Sequence, residues 1–207
     1  MPTKTQAVKS LIRSGAYDGP GTMSAKQHPG PQNTRNLMEE VQSYPKIIFL
    51  DFDGVLNDHS KHPNGYGGIT LSLVPHLNSI LDAVPEAKIV VSSSWRYVSP
   101  DPKVHEFILL IHGVNAYGRV LDVTVSDEEI TGGNMPDWND REAWMREGLI
   151  WRVKQIRKWV EENDVESYVV LDDLPLVVEN LVQTQGNVGL TQNDAEKAIA
   201  LLTGIQP

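Results

Sequence analysis

From residue 46 onward, short apolar runs alternate with longer stretches in which apolar residues recur at helical spacing. The runs at 47–50 (IIFL), 88–91 (KIVV), 119–125 (RVLDVTV) and 167–171 (SYVVL), with a weaker one at 181–184 (LVQT), predict β-strands. Helices are predicted over 71–83, 103–112, about 141–162, a short piece near 175–181, and 192–202, the last with Thr191 as N-cap and Asp194 as an early acid. Strands alternating with helices imply an α/β fold, a Rossmann-like three-layer sandwich around a central parallel sheet of about five strands. The chain has no internal repeat.

The first 45 residues break this rhythm. A short amphipathic segment over 7–12 leads into AYDGPGTMSAKQHPGPQNT, whose Gly and Pro content predicts loop or disorder, and a second helical stretch, NLMEEVQS, ends before Pro45. The expected organisation is therefore a weakly ordered extension over 1–45, with short helices, and one domain over 46–207.

Three of the predicted strands run into polar clusters. IIFLDFDG delivers Asp51, Asp53 and Gly54; IVVSSSWR delivers Ser92, Ser93, Ser94 and Arg96; YVVLDDLP delivers Asp172 and Asp173. In a parallel sheet the C-terminal strand ends face one crevice, so these residues converge. Asp51 and Asp53 start on one side of an extended chain, and Gly54 lets the backbone turn away. Four carboxylates, a hydroxyl cluster and an arginine suit a hard cation and an oxyanion, most simply Mg²⁺ and phosphate.

Composition narrows the picture. Charged residues make up 22% and hydrophobic ones 40% of 207 residues, values typical of soluble globular proteins. There is no cysteine, which removes disulfides, thiolate zinc sites and thiol nucleophiles. No apolar stretch is long enough to span a bilayer, and MPTKTQAVKSLIRSG lacks the apolar core of a secretory signal, so a cytoplasmic location without membrane partners is expected. Of the net charge of −9, residues 1–45 contribute five Lys/Arg and three Asp/Glu, leaving thirteen and twenty-four for the remainder. So acidic a body argues against nonspecific adhesion to nucleic acid, while a nucleotide or strand end held at one site stays compatible.

Taken together, DFDG, SSSWR, the helix RVKQIRKWV before YVVLDD, and the final LVQTQGNVGLTQNDAEKAIALL resemble the haloacid dehalogenase-like (HAD) phosphatase superfamily over residues 46–203, in particular a small branch that includes domains associated with RNA repair. The resemblance implies Asp51 as a nucleophile that becomes an aspartyl phosphate, and Asp53 as acid and base. It implies Mg²⁺ between the Asp51 side chain, the Asp53 backbone carbonyl and Asp173, with Asp172 close by. Ser93, or Ser92 as the alternative, is expected on a phosphoryl oxygen, and Arg96 either clamps phosphate or pairs with a nearby acid.

The cation that the superfamily places before the last acid pair falls on Arg152, with Lys154 as the alternative; the two are about 200° apart around a helix. Trp95 is expected in the core, and His59, His62 and Tyr66 lie in a loop beside the site. Residues 131–148, with Trp138 and Trp144, form either a small lid or sheet packing. Only about thirty residues separate the first two clusters, too few for a cap domain, so an open crevice is expected.

The function implied is a Mg²⁺-dependent phosphomonoester hydrolase acting on a nucleotide or a nucleic acid terminal phosphate. The alternatives are a phosphatase for a small metabolite, and a catalytically idle binding module that recruits a partner through the N-terminal arm.

Overall fold

The computed structural model describes residues 46–58, 68–137 and 139–205. The helices expected within 1–45, the loop residues His59, His62 and Tyr66, and Trp138 lie outside the described residues. Five strands, β1 (Lys46–Leu50), β2 (Lys88–Val91), β3 (Val120–Val123), β4 (Ser167–Asp172) and β5 (Leu181–Gln183), form one parallel sheet in the order β3-β2-β1-β4-β5. Helices α1 (Val74–Ala83), α2 (Pro102–Ile111), α3 (Asp127–Thr131), α4 (Arg141–Glu162) and α5 (Gln192–Thr203) connect or follow them. The architecture is the α/β sandwich that the alternation predicts.

β1 is central, in register with β2 (Leu50 opposite Val91) and with β4 (Leu50 opposite Leu171). Covered on both faces, it is apolar from Ile47 to Leu50 instead of alternating. Ile48 and Leu50 join one core cluster with Leu77, Ile80 and Leu81 of α1, Leu109 of α2, and Ala195, Ala198 and Leu202 of α5. Ile47 and Phe49 join the other with Val153, Ile156 and Trp159 of α4. There the Phe49 ring meets Trp159 and Tyr168 edge-on, with centroids 5.5 and 5.7 Å away.

Four of the five described helices begin where a side chain satisfies a first-turn amide, and α1 starts at Val74–Pro75 without one. Asp101 caps α2, Ser126 caps α3, Asp140 caps α4, and Thr191 with Asp194 forms a reciprocal capping box on α5. The short α3 was not expected, although Ser126 before three acids and Gly132 after it (φ 62°) carry its start and stop signals. The helix expected near 175–181 is absent. The Leu174 amide donates to the Asp172 carboxylate, and Leu174, Leu176 and Val178 pack at alternate positions against the α4-side core, an extended pattern that a helix would break.

One histidine is built into this core. His105 of α2 is buried, its ring lies 5.9 Å from that of Phe52, and its Nε2–H donates to the Ser99 carbonyl at 2.7 Å, leaving Nδ1 buried without a partner. Burial lowers its pKa from the ordinary 6.5, against the Ser99 carbonyl and the Asp101 charge, which raise it. A histidine with a depressed folded-state value binds its proton more tightly when unfolded, so its stabilising contribution is present above about pH 6.5 and is lost as pH falls through the folded value. The urea midpoint of the native protein is expected to drop more between pH 7 and pH 5 than that of His105→Gln; equal slopes would show that His105 does not titrate with folding.

Candidate active site

Strand alternation decides which side chains meet. Ile47, Phe49 and then Asp51 lie on the α4 face of β1; Val90 and then Ser92 follow on β2; Val170 and Asp172 follow on β4. The Asp51 amide donates to the Leu171 carbonyl and the Ser92 amide to the Leu50 carbonyl, so Asp51, Ser92 and Asp172 stand side by side at the top of three adjacent strands. All three are buried.

From α4, Arg152 answers these acids. One of its guanidinium nitrogens lies 2.5 Å from Asp51 Oδ2 and 2.8 Å from Asp172 Oδ2, and its side chain is only 11% exposed. Burial alone would lower the Arg152 pKa, but the charges of Asp51 and Asp172 hold it above its ordinary value. Asp172 is pushed up to about 7, chiefly by burial; Arg152 opposes the rise and Asp51 adds to it. Lys154, two residues on and exposed, lies on another face of the helix. The third carboxylate of the group is Asp173, and ligand atoms of Asp51, Asp172 and Asp173 fall within 4.8 Å of one another.

Gly54 is required by this packing. It has φ +71°, where a Cβ is strained, and a Cβ built there would lie 2.4 Å from the Asp173 carboxyl carbon. Two buried or tethered groups hold the turn in place: Thr184 Oγ1 donates to the Gly54 carbonyl at 2.7 Å, and Gln183 Nε2 donates to the Asp173 carbonyl at 3.0 Å. The sequence reading passed over both, since LVQT reads simply as a strand.

Asp53 is turned elsewhere. Its carboxylate is not in the group of three; Oδ1 accepts from Asn57 Nδ2 at 2.8 Å, while Oδ2 accepts from the Trp95 indole at 3.0 Å and from Ser94 Oγ at 3.4 Å. Trp95 packs beside the core, as expected, but its indole N–H also reaches a site acid, a role the sequence reading did not give it.

The serines divide. Ser93 Oγ accepts from the Trp95 amide and starts a 3₁₀ turn over Ser94–Tyr97, whereas Ser92 Oγ is buried on the Asp51 face with no hydrogen-bond partner. The Arg96 guanidinium is committed within the protein: it donates to the Ser93 carbonyl at 2.9 Å, to Asp127 at 2.7 Å and to Gln155 at 3.2 Å. Of its two expected roles the structure displays the ion pair. Asp127 and Gln155, which the sequence reading did not single out, are bonded to each other at 2.6 Å. In the segment 131–148, Trp144 packs edge-on against Trp151 with centroids 5.4 Å apart, and from Arg141 onward the residues are helical.

The donor set suits a hard divalent cation: three carboxylates converge, two of them buried, and the glycine beside them leaves space that a Cβ would take from Asp173. Such a group of acids, next to a buried, unpartnered hydroxyl on an α/β strand edge, can hold a cation and an oxyanion together.

The sequence signature of the HAD domain in Swiss Army Knife RNA repair proteins matches residues 47–195. The chain belongs to this family. Its members are HAD domains, and the family points to a phosphatase-type hydrolase. No curated protein and no solved structure gives a significant match to the chain. In this HAD domain all three strand-end clusters lie inside the matched span, and among the described residues no helix is long and apolar enough to cross a membrane.

Arg152 is the only guanidinium hydrogen-bonded to Asp51 and Asp172 among the described residues. Removing one partner of a buried charge cluster costs about 3–5 kcal/mol. Arg152→Gln is therefore expected to lower stability by about that much at pH 7 in metal-free buffer. Because the folded-state value of Asp172 lies above the ordinary 3.8, its protonated form favours folding, a contribution present in acid and lost as pH rises through about 7. The deficit of Arg152→Gln, read from urea midpoints, should accordingly shrink from pH 7 to pH 5; a deficit that is absent or independent of pH would contradict the bridging role.

Proposed function

We propose that this HAD domain is a Mg²⁺-dependent phosphomonoester hydrolase working through an aspartyl phosphate. The observation that carries the reading is the Arg152 bridge between Asp51 and Asp172, with Asp173 closing the group and Ser92 adjacent. Mg²⁺ held by Asp51, Asp172, Asp173 and the Asp53 carbonyl would supply charge neutralisation for a phosphate brought up to these acids.

An Asp51 carboxylate oxygen attacks phosphorus, the bond from phosphorus to the leaving oxygen breaks, and Asp53 gives that oxygen its proton. Water then attacks the same phosphorus, the bond to Asp51 breaks, and Asp53 takes up the proton released. Throughout, the Phe52 amide (2.8 Å from Asp51 Oδ1) and Arg152 hold the Asp51 carboxylate in one orientation. Ser92 Oγ has its donor uncommitted and would bind a phosphoryl oxygen.

The substrate proposed is a nucleotide or a nucleic acid end, with the weight on the nucleic acid end. Support comes from the family's association with RNA repair and from the form of α4. With 22 residues, α4 is about 33 Å long. Arg152 reaches the acids at the strand ends from the middle of α4, Leu149 still packs on the α4-side core, and Arg141 to Gly148 form about two helical turns before it. On a 100° helical wheel Arg141, Met145 and Gly148 fall within about 40° of Arg152. Met145 is 73% exposed, and a Cβ at Gly148 would meet nothing within 4 Å. A cation and an apolar side chain beyond an unfilled gap suit a ligand that continues past its terminal phosphate.

Asp51→Asn is expected to abolish Mg²⁺-dependent phosphate release from a generic aryl phosphate while leaving the circular dichroism spectrum unchanged; undiminished turnover would remove Asp51 as nucleophile. In a panel of 3′- and 5′-phosphorylated oligonucleotides, mononucleotides and sugar phosphates, kcat/KM should be highest for the oligonucleotides. Equal values across the panel would leave the nucleic acid assignment unsupported.

A further inference from the structure

The Trp95 indole reaches across from the turn after β2 to the second acid of the DFDG motif, with Nε1 3.0 Å from Asp53 Oδ2. We infer that Trp95 is a positioning residue that fixes the Asp53 carboxylate for proton transfer to the leaving oxygen; the inference rests on the reading of Asp53 as acid and base.

The first support is chemical. An indole N–H donates and cannot accept, so Trp95 orients the carboxylate without competing for its proton. Asn57 does the same at Oδ1 from the other side, at 2.8 Å, through an amide that does not titrate. Held at Oδ1 by Asn57 and at Oδ2 by Trp95, with Ser94 Oγ farther off at 3.4 Å, Asp53 keeps one orientation for proton exchange with the reacting oxygens.

The second support is mechanical. The Trp95 ring lies against Phe52, with centroids 4.8 Å apart, and Phe52 lies against His105 at 5.9 Å. Phe52 is completely buried and separates the two acids in the chain, so the indole packs, tilted by 31°, on the residue between them. The backbone of the turn is fixed in turn: Ser93 Oγ accepts from the Trp95 amide, and the neighbouring Arg96 is tied to Asp127 and to Gln155 of α4. Gln155 lies one helical turn from Arg152. The turn that carries the donor to Asp53 is thereby tethered, through Arg96, to the helix that carries the cation on Asp51.

A tryptophan that merely fills the core predicts something different from one that orients an acid, and leaving-group dependence separates them. Through kcat/KM one reads the steps up to departure of the leaving group. A nitrophenolate leaves well without a proton, whereas an alkoxide needs one, so the assistance from Asp53 matters most for alkyl esters.

The experiment compares the full-length native protein with Trp95→Phe, in Mg²⁺, over a series of monoesters from p-nitrophenyl phosphate to glycerol phosphate. Phenylalanine keeps the stacking and lacks the N–H. The loss in kcat/KM should grow along the series, from about threefold or less to about 10–100-fold on the alkyl ester. In an Asp53→Asn background the same substitution should add no leaving-group dependence. Replacing the indole by benzothiophene, which has its shape without its N–H, provides a second variant should Trp95→Phe fold poorly.

A loss equal on all esters, no loss at all, or a dependence that persists in Asp53→Asn would overturn the positioning role while leaving the phosphatase reading intact. Native protein that hydrolyses no monoester would instead bring down the phosphatase reading, and this inference with it.

Discussion

The whole edge of the sheet depends on how buried carboxylates are held together. Register places Asp51 and Asp172 next to each other on one face of adjacent strands, under α4, where both are buried. Two such charges repel strongly in a medium of low polarity, and Arg152 bonds to both. The arrangement accounts for features that otherwise look unrelated. α4 must bring Arg152 up to both acids, Gly54 must lack a side chain to admit Asp173, and Thr184 must anchor the Gly54 carbonyl so that the turn does not open.

The same geometry gives the two acids of DFDG different chemistry despite their spacing of two. Asp51 is nearly inaccessible, paired with a guanidinium and fixed by the Phe52 amide. Asp53 leaves the strand direction at the turn and meets neutral donors instead, from Asn57, Ser94 and Trp95. Phe52, buried against Trp95, is the wedge that keeps them apart. Asp51 is thus held by a permanent cation, whereas Asp53 is held by neutral N–H and O–H donors. Environment, more than residue type, divides the proposed labour.

Much of this was legible in the chain. The five strands, four of the helices and the convergence of DFDG, SSSWR and YVVLDD follow from apolar runs and from the rule that parallel strands end in one crevice. What escaped depended on long-range partners. The expected helix near 175–181 failed because Leu174, Leu176 and Val178 pack at alternate positions against the α4-side core, an extended pattern. Ser93 and Ser92 could not be told apart until the end of β2 was known to within one residue. Trp95 carries an apolar ring and a donor at once, and only the fold shows that the donor finds Asp53. For Arg96 the sequence leaves a phosphate clamp and an ion pair both open, because its partners Asp127 and Gln155 lie 31 and 59 residues away.

The use of these arginines bears on how an anion could be received at all. Arg96 is tied to Asp127, and Arg152 is shared between two acids, so the charge of each guanidinium is already met by carboxylates of the protein. Three carboxylates against one guanidinium leave the edge negative once Asp172 is ionised, within a body where Asp and Glu outnumber Lys and Arg. A phosphate dianion approaching that edge meets repulsion unless positive charge arrives with it. The acids that repel it are the hard oxygen donors a divalent cation takes. On electrostatic grounds, then, binding of cation and phosphate should be coupled: each makes the edge more hospitable to the other, and a site built from this chain alone would favour the pair over the anion by itself.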